Sequence, residues 1–349
     1  MKASINGKFV LCLKRIVKIM SREILLSILG FVLVFNYMFS QDVPDSEPVL
    51  PDSYAVRWIS QFPSLEKGDK KSFKEFVSGM VFGKKAEPVM KPFSVLARGP
   101  NSFLVLDQGS RTIIENQKGS GEILRPFRNR DQEFPSLVGM CAISNNELLF
   151  TDSRQNKIYH IAGDDLSDFN TSLILNQPTG IAYSEARGEI WVVETGAHSV
   201  SVFNMEGELL KRIGERGSAP GTFNFPTFIW IDASGIVYIV DSMNFRIQIF
   251  DAQGNFMSMF GEIGDATGFM ARPKGIATDS KGNIYIADAL FHAVQVFDKE
   301  GNLLYYFGKQ GEGKGEFWMP AGIYIDDKDY IYVADSYNSR VQVFQLVNN

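Results

Sequence analysis

The sequence predicts an all-β fold: a six-bladed β-propeller of four-stranded antiparallel blades, closed by an N-terminal strand and preceded by one short N-terminal helix. Three observations carry that prediction. Residues 271–308 hold four short runs in which apolar and polar residues alternate (GIATD, NIYIAD, AVQVFD and NLLYYFG), broken by turn chemistry around Gly282 and Gly301. Such runs read as an antiparallel meander too small to bury both its faces alone. The acid that closes the second run recurs as Asp107, Asp152, Glu194, Asp241, Asp288 and Asp335, the last three each 47 residues apart. The first run opens at Pro92, Val138, Pro178, Pro226, Pro273 or Pro320, so the unit is countable six times. Four strands repeating every 40 to 50 residues or so mark a propeller, whose blades bury their faces against one another around a channel.

Taken in order, the chain begins with basic residues (Lys2, Lys8, Lys14, Arg15, Lys18, Arg22) and an apolar run over 24–35. A charged region followed by a short apolar one reads as a secretory signal over 1–40, cut near Ser40 and Gln41; retention as a membrane anchor through residues 24–39 is the alternative. Translation starts at Met1 or at Met20. Residues 41–53 carry Pro44, Pro48 and Pro51 among acidic residues, a solvated spacer. Residues 54–89 hold a strand over 54–62 and a short helix opened by Ser72 and Glu75 in capping-box spacing, with Phe73, Phe76, Val77 and Met80 on one face and Gly83 ending it. The propeller occupies 90–349. Its final unit has only three runs, so the strand over 54–62 is expected to complete it as the outermost strand, burying Tyr54, Val56 and Trp58.

The 349 residues include 35 basic and 40 acidic side chains, a net charge of −5; removing residues 1–40 takes away 6 basic and 1 acidic residue and leaves −10. An acidic domain lacks the clustered positive charge that nucleic acid requires, so no nucleic-acid partner is expected. Only Cys141 follows the leader, which excludes an intramolecular disulfide in the mature chain.

The patterns PxGIxxD, xIYxAD and DSxNxRxQxF resemble the NHL-repeat propeller family over about 92–344, most strongly in 241–250 and 335–344. The family's His, four residues after the acid, is matched by His198 and His292, while Arg111, Asn156, Phe245 and Ser339 hold that place elsewhere. The resemblance implies a bacterial exported propeller. A related propeller enzyme, the peptidyl amidating lyase, binds zinc through a His directly after the inner-strand Pro; the matching places here are Phe93, Thr179 and Lys274, or Gly139, Thr227 and Ala321, none a metal ligand. The calcium-dependent lactonases need carboxylates or amides gathered there, and these positions supply neither. His198, His292 and Arg111 cannot complete a zinc site, because a guanidinium does not ligate. His160, in KIYHI, reads as a packed strand residue. No metal or cofactor is therefore expected.

Loops between units repeat glycines at Gly214, Gly217, Gly221; Gly261, Gly264, Gly268; and Gly308, Gly311, Gly315. The last copy approaches a phosphate-binding loop but lacks its Ser or Thr and precedes a strand, so these glycines read as backbone positions of positive φ. Asp107, Asp152, Glu194, Asp241, Asp288 and Asp335 read as structural turn residues that accept hydrogen bonds from the following turn. Arg216, Phe269, Arg272, Lys274, Lys314 and Trp318 gather charge and aromatic area on the face formed by the inter-unit loops, the composition that binding hot spots favour. The expected function is non-catalytic: a monomeric binding or scaffolding module at the cell envelope that engages a protein or polymer, touching the membrane only through an uncleaved leader. A channel-centred metal-dependent lyase or lactonase-type hydrolase is the alternative.

Overall fold

The computed structural model describes residues 54–64, 89–99, 102–117, 120–124, 127, 133–169 and 173–348. The leader, the spacer and the helix expected over 72–83 lie outside the described residues. Within them the chain forms six four-stranded antiparallel sheets arranged as the blades of a propeller. Blade 1 holds β2 (Pro92–Gly99), β3 (Ser102–Asp107), β4 (Thr112–Gln117) and β5 (Ser120–Ile123); blade 2 holds β6 (Leu137–Ser144), β7 (Glu147–Asp152), β8 (Lys157–Ala162) and β9 (Asp165–Asp168). Blade 3 comprises β10 (Pro178–Ser184), β11 (Glu189–Glu194), β12 (Ser199–Phe203) and β13 (Leu209–Ile213), and blade 4 comprises β14 (Pro226–Ile231), β15 (Val237–Asp241), β16 (Arg246–Phe250) and β17 (Phe256–Phe260). Blade 5 runs β18 (Pro273–Thr278), β19 (Ile284–Asp288), β20 (Ala293–Phe297) and β21 (Leu303–Phe307). Blade 6 has β22 (Pro320–Ile325), β23 (Tyr330–Asp335) and β24 (Arg340–Asn348), with β1 (Tyr54–Phe62) hydrogen-bonded to β24 as its fourth strand.

The second and third strands are apolar on both faces because each sheet is packed between two neighbours. Ile284 to Asp288, Ala293 to Phe297 and Glu189 to Glu194 are buried throughout. Hydroxyls at the ends of the second strands tie blade to blade: Thr151 Oγ1 donates to the Thr179 carbonyl at 2.6 Å, Thr195 Oγ1 to the Pro226 carbonyl at 2.6 Å, and Ser336 Oγ to the Pro92 carbonyl at 2.5 Å. The last of these joins blade 6 to blade 1.

Blade 2 corrects the expected register. Leu137, not Val138, pairs with Asp152 as Pro178 pairs with Glu194. The cause is the glycine that follows: a Cβ on Gly139 would lie 2.3 Å from the Thr179 carbonyl oxygen, just as one on Gly275 would lie 2.5 Å from Ile323 N. Adjacent inner strands approach so closely here that glycine alone fits, and that sets the register.

β1 also differs in detail from expectation. The register shifts between Trp58 and Ser60, a bulge that reverses which face later side chains take. Val56 and Trp58, half-buried, pack on the cluster between blades 5 and 6, whereas Phe62 enters the cluster shared with blade 1. Among the described side chains of this strand the buried aromatic is Phe62, 6% exposed, which meets Phe103 edge-on at 5.9 Å.

Candidate functional site

Six inner strands converge on the channel, and their side chains form rings. The residues just inside the opening proline or its equivalent are Phe93, Val138, Thr179, Thr227, Lys274 and Ala321; these sit at one end of the channel, its mouth, with the loops that join successive blades. The next ring is the glycine position, held by Gly139, Gly180, Gly275 and Gly322, but by Ser94 in blade 1 and Phe228 in blade 4. Blades 1 and 4 face each other across six, and there Phe93 stacks on Phe228 with ring centres 5.6 Å apart and planes 27° from parallel. Beyond this pair lies a ring of Val95, Met140, Ile181, Ile229, Ile276 and Ile323, which lines a channel cavity of about 200 Å³. Toward the far end Trp230 meets Tyr324 edge-on at 5.4 Å, its indole N–H donating to Thr278 Oγ1 at 2.9 Å. The same cavity has small walls at Cys141, Ala142 and Ala182.

The mouth is cationic. Lys274 Nζ lies 5.9 Å from the centre of the Phe93 ring. Burial, with the charges of Arg272 and Lys91 adding to it, pulls the Lys274 ammonium down to about 8. Lys91 Nζ in turn lies 5.8 Å from the centre of the Tyr337 ring, and Tyr337 packs at 5.9 Å on Trp318. Tyr337 and Trp318 are 54% and 42% exposed. No ion pair joins Lys91, Arg272 or Lys274 to a carboxylate among the described residues. One partly desolvated cation, Lys274, beside the exposed charges of Lys91 and Arg272 raises the free energy of the empty site, and an arriving anion lowers it.

Of the six residues expected to form the binding face, the structure brings Arg272, Lys274 and Trp318 together. Arg216 is exposed in the loop before blade 4, where its backbone bridges Phe223. Phe269 is half-buried against its own loop, and its carbonyl accepts the Gln295 amide at 2.8 Å. Lys314 lies over Trp58 at 4.5 Å, on the outermost strand of blade 6. Sequence reasoning missed Lys91, Phe93 and Tyr337. Lys91 precedes Pro92 as Arg272 precedes Pro273, so the repeat register held the signal.

The acids closing the second strands lie under this face. Asp288 accepts backbone N–H groups of Ala271, Arg272, Leu290 and Phe291, joining the incoming loop to the next turn. Asp335 accepts the Trp318 N–H at 2.8 Å and the Arg340 guanidinium at 2.7 Å. Arg340 also donates to the carbonyls of Glu312, Gly313 and Glu316, and so anchors the glycine loop. The histidines are similarly occupied. His198 Nδ1 accepts the Phe225 N–H and His292 Nδ1 the Met319 N–H, both at 3.1 Å. Burial holds the His292 imidazole below its usual range against the pull of Asp288 and Asp335. His160 is half-buried rather than packed away, 3.1 Å from Glu147. Among the described residues no three His, Cys, Asp or Glu side chains gather so as to hold a metal ion.

These features define a six-bladed β-propeller with a cationic, aromatic channel mouth. A family model described as a 6-bladed beta-propeller matches residues 170–261 and 272–348, that is, blades 3 to 6. No curated protein matches the chain. Solved structures similar to it include virginiamycin B lyase from Staphylococcus aureus, at 14% identity and a TM-score of 0.54 over 84% of this chain and 100% of that one. A gluconolactonase from Xanthomonas campestris is similar at 14% identity and a TM-score of 0.58 over 74% and 89%. An auxiliary nutrient binding protein from Bacteroides thetaiotaomicron is similar at 13% and 0.57 over 75% and 69%. Likeness at this identity is likeness of fold, which enzymes and binding proteins share.

Proposed function

We propose that this chain is an exported, non-catalytic propeller of NHL type that binds an anionic protein or polymer of the cell envelope at the channel mouth. The observation that carries the reading is the cluster of Lys91, Arg272 and Lys274 beside the exposed rings of Trp318 and Tyr337. Three cations without a described carboxylate partner, on a chain of net charge −5, select for negative charge, and the flanking rings add the contact area that hot spots use. Export rests on the basic and apolar leader. In this reading β1 closes the ring by covering the open edge of β24, which leaves the mouth rigid.

Dextran sulfate is a suitable probe. Fluorescence anisotropy with labelled dextran sulfate is expected to show binding that weakens as salt rises, because screening shortens the reach of surface charge. Replacing Lys91, Arg272 and Lys274 together by Glu should abolish it, while Lys314→Glu, at the outer rim, should leave it nearly unchanged. Equal binding by the parent chain and the triple variant would remove the mouth from consideration.

A further inference from the structure

The channel behind the mouth is built for something the charged cluster alone does not explain. Protein interiors are ordinarily packed to the density of organic crystals. Here about 200 Å³ is left open within a ring of six apolar side chains, one from each blade. The space is lopsided. At the level where blades 4 and 6 place Trp230 and Tyr324, blades 2 and 3 place only Cys141 and Ala182. Larger side chains at those two positions would fill the gap. For scale, an engineered apolar cavity of roughly 150 Å³ stays dry and takes up benzene.

Two aromatic rings stand between the cations and this cavity. Lys274 Nζ is 5.9 Å from the Phe93 ring, Phe93 stacks on Phe228 at 5.6 Å, and Phe228 lines the cavity. Phe93 is half-buried, and Phe228 stands where four other blades have glycine. An aromatic gate therefore separates a positive mouth from an apolar chamber. A polymer's charge would be satisfied at the mouth alone; the chamber adds a demand for an apolar group attached to that charge.

We propose that the channel is a binding site for a small amphipathic anion, a medium-chain carboxylate, with its head on Lys91, Arg272 and Lys274 and its tail past Phe93 and Phe228 in the cavity. The head-group half rests on the function proposed above; the tail half rests on the cavity.

Octanoate is the probe, added to the full-length chain carrying Cys12→Ser so that Cys141, 8% exposed in the cavity wall, is the only thiol. Octanoate is expected to slow labelling of Cys141 by a small thiol reagent at least tenfold, while acetate, with the head and no tail, does not. Octanol, with the tail and no charge, is expected to need at least ten times the concentration. Ala182→Leu should abolish octanoate binding by calorimetry and leave dextran sulfate binding intact; Cys141→Leu, read the same way, serves if Ala182→Leu does not fold. Failure of octanoate to protect Cys141 while dextran sulfate still binds would overturn the tail site and leave the mouth reading standing. Protection that survives the triple charge reversal would overturn the head-group assignment, and unchanged octanoate binding in both filled variants would exclude the cavity.

Discussion

Phe62→Ala tests whether β1 belongs to the cooperative unit. Phe62 is 6% exposed, packs edge-on against Phe103 of blade 1, and presses so closely on the chain that a Cβ at Gly121 would lie 2.6 Å from its ring. Truncating a buried Phe leaves a cavity as well as lost burial and is expected to cost about 3 to 5 kcal/mol. With about 2 to 4 °C lost per kcal/mol in a large domain, the melting temperature should fall by roughly 10 °C. Arg57→Ala is the control on the same strand: its guanidinium reaches only the exposed Gln345 amide, and its cost should stay within about 0.5 kcal/mol. Thermal unfolding followed by circular dichroism gives both numbers. A Phe62→Ala melt indistinguishable from that of Arg57→Ala would refute the idea that β1 closes the ring, since an ornamental strand could fray without unfolding the blades.

Arg340→Ala should cost about 3 to 5 kcal/mol, because it leaves buried Asp335 without its cation and takes one donor from each of the loop carbonyls of Glu312, Gly313 and Glu316; a melt within a degree or so of the parent, with no new protease cleavage in 308–319, would contradict this. Dextran sulfate affinity should fall as pH rises through about 8, because Lys274, depressed mainly by burial, loses its proton there instead of near 10.5. Lys274→Arg should flatten that profile, and an identical profile in the variant would detach Lys274 from binding. Burial holds the His292 imidazole below its ordinary value of 6.5, so its neutral form is favoured in the fold. The stability it lends is present above pH 6.5 and lost as pH falls through its depressed folded value. A fall in melting temperature from pH 7 to 5 that is no smaller in His292→Gln would show that this bond to Met319 is not responsible.

The architecture was legible in the sequence because a propeller writes it six times. The recurring acid and proline fix the inner and second strands wherever both occur, and the expected strand starts at Pro92, Pro178, Pro226, Pro273 and Pro320 are those observed. Register slipped only in blade 2, where no proline marks the start and the glycine constraint at Gly139 is a contact with another blade. The mouth was legible in half its members. Arg272, Lys274 and Trp318 lie close to a repeat landmark, whereas Lys91 and Tyr337 come from blades 1 and 6, far apart in sequence until ring closure makes them neighbours. Lys314 was misplaced because sequence gives the loop and not the radius: its side chain runs outward to Trp58 instead of inward.

A residue type repeated in every blade answers to the geometry of the repeat; one that occurs in a single blade does not. The buried acids recur, are saturated with backbone and side-chain donors, and would be needed by any propeller of this build. Phe228 is the opposite case. Four blades require glycine at its position because neighbouring backbones crowd it, so a phenyl ring there imposes a local departure on the inner ring and gains its contact with Phe93. Lys274 is likewise alone among six positions otherwise occupied by Phe93, Val138, Thr179, Thr227 and Ala321, and it carries a desolvated charge that no scaffold role explains. Departures that weaken the repeat persist where something else depends on them. Both converge on one end of the channel, and Phe228→Gly therefore separates the two demands. Restoring the repeat residue should leave or improve thermal stability while it opens the gate and speeds labelling of Cys141; a destabilised variant with Cys141 still shielded would mean that Phe228 is only packing.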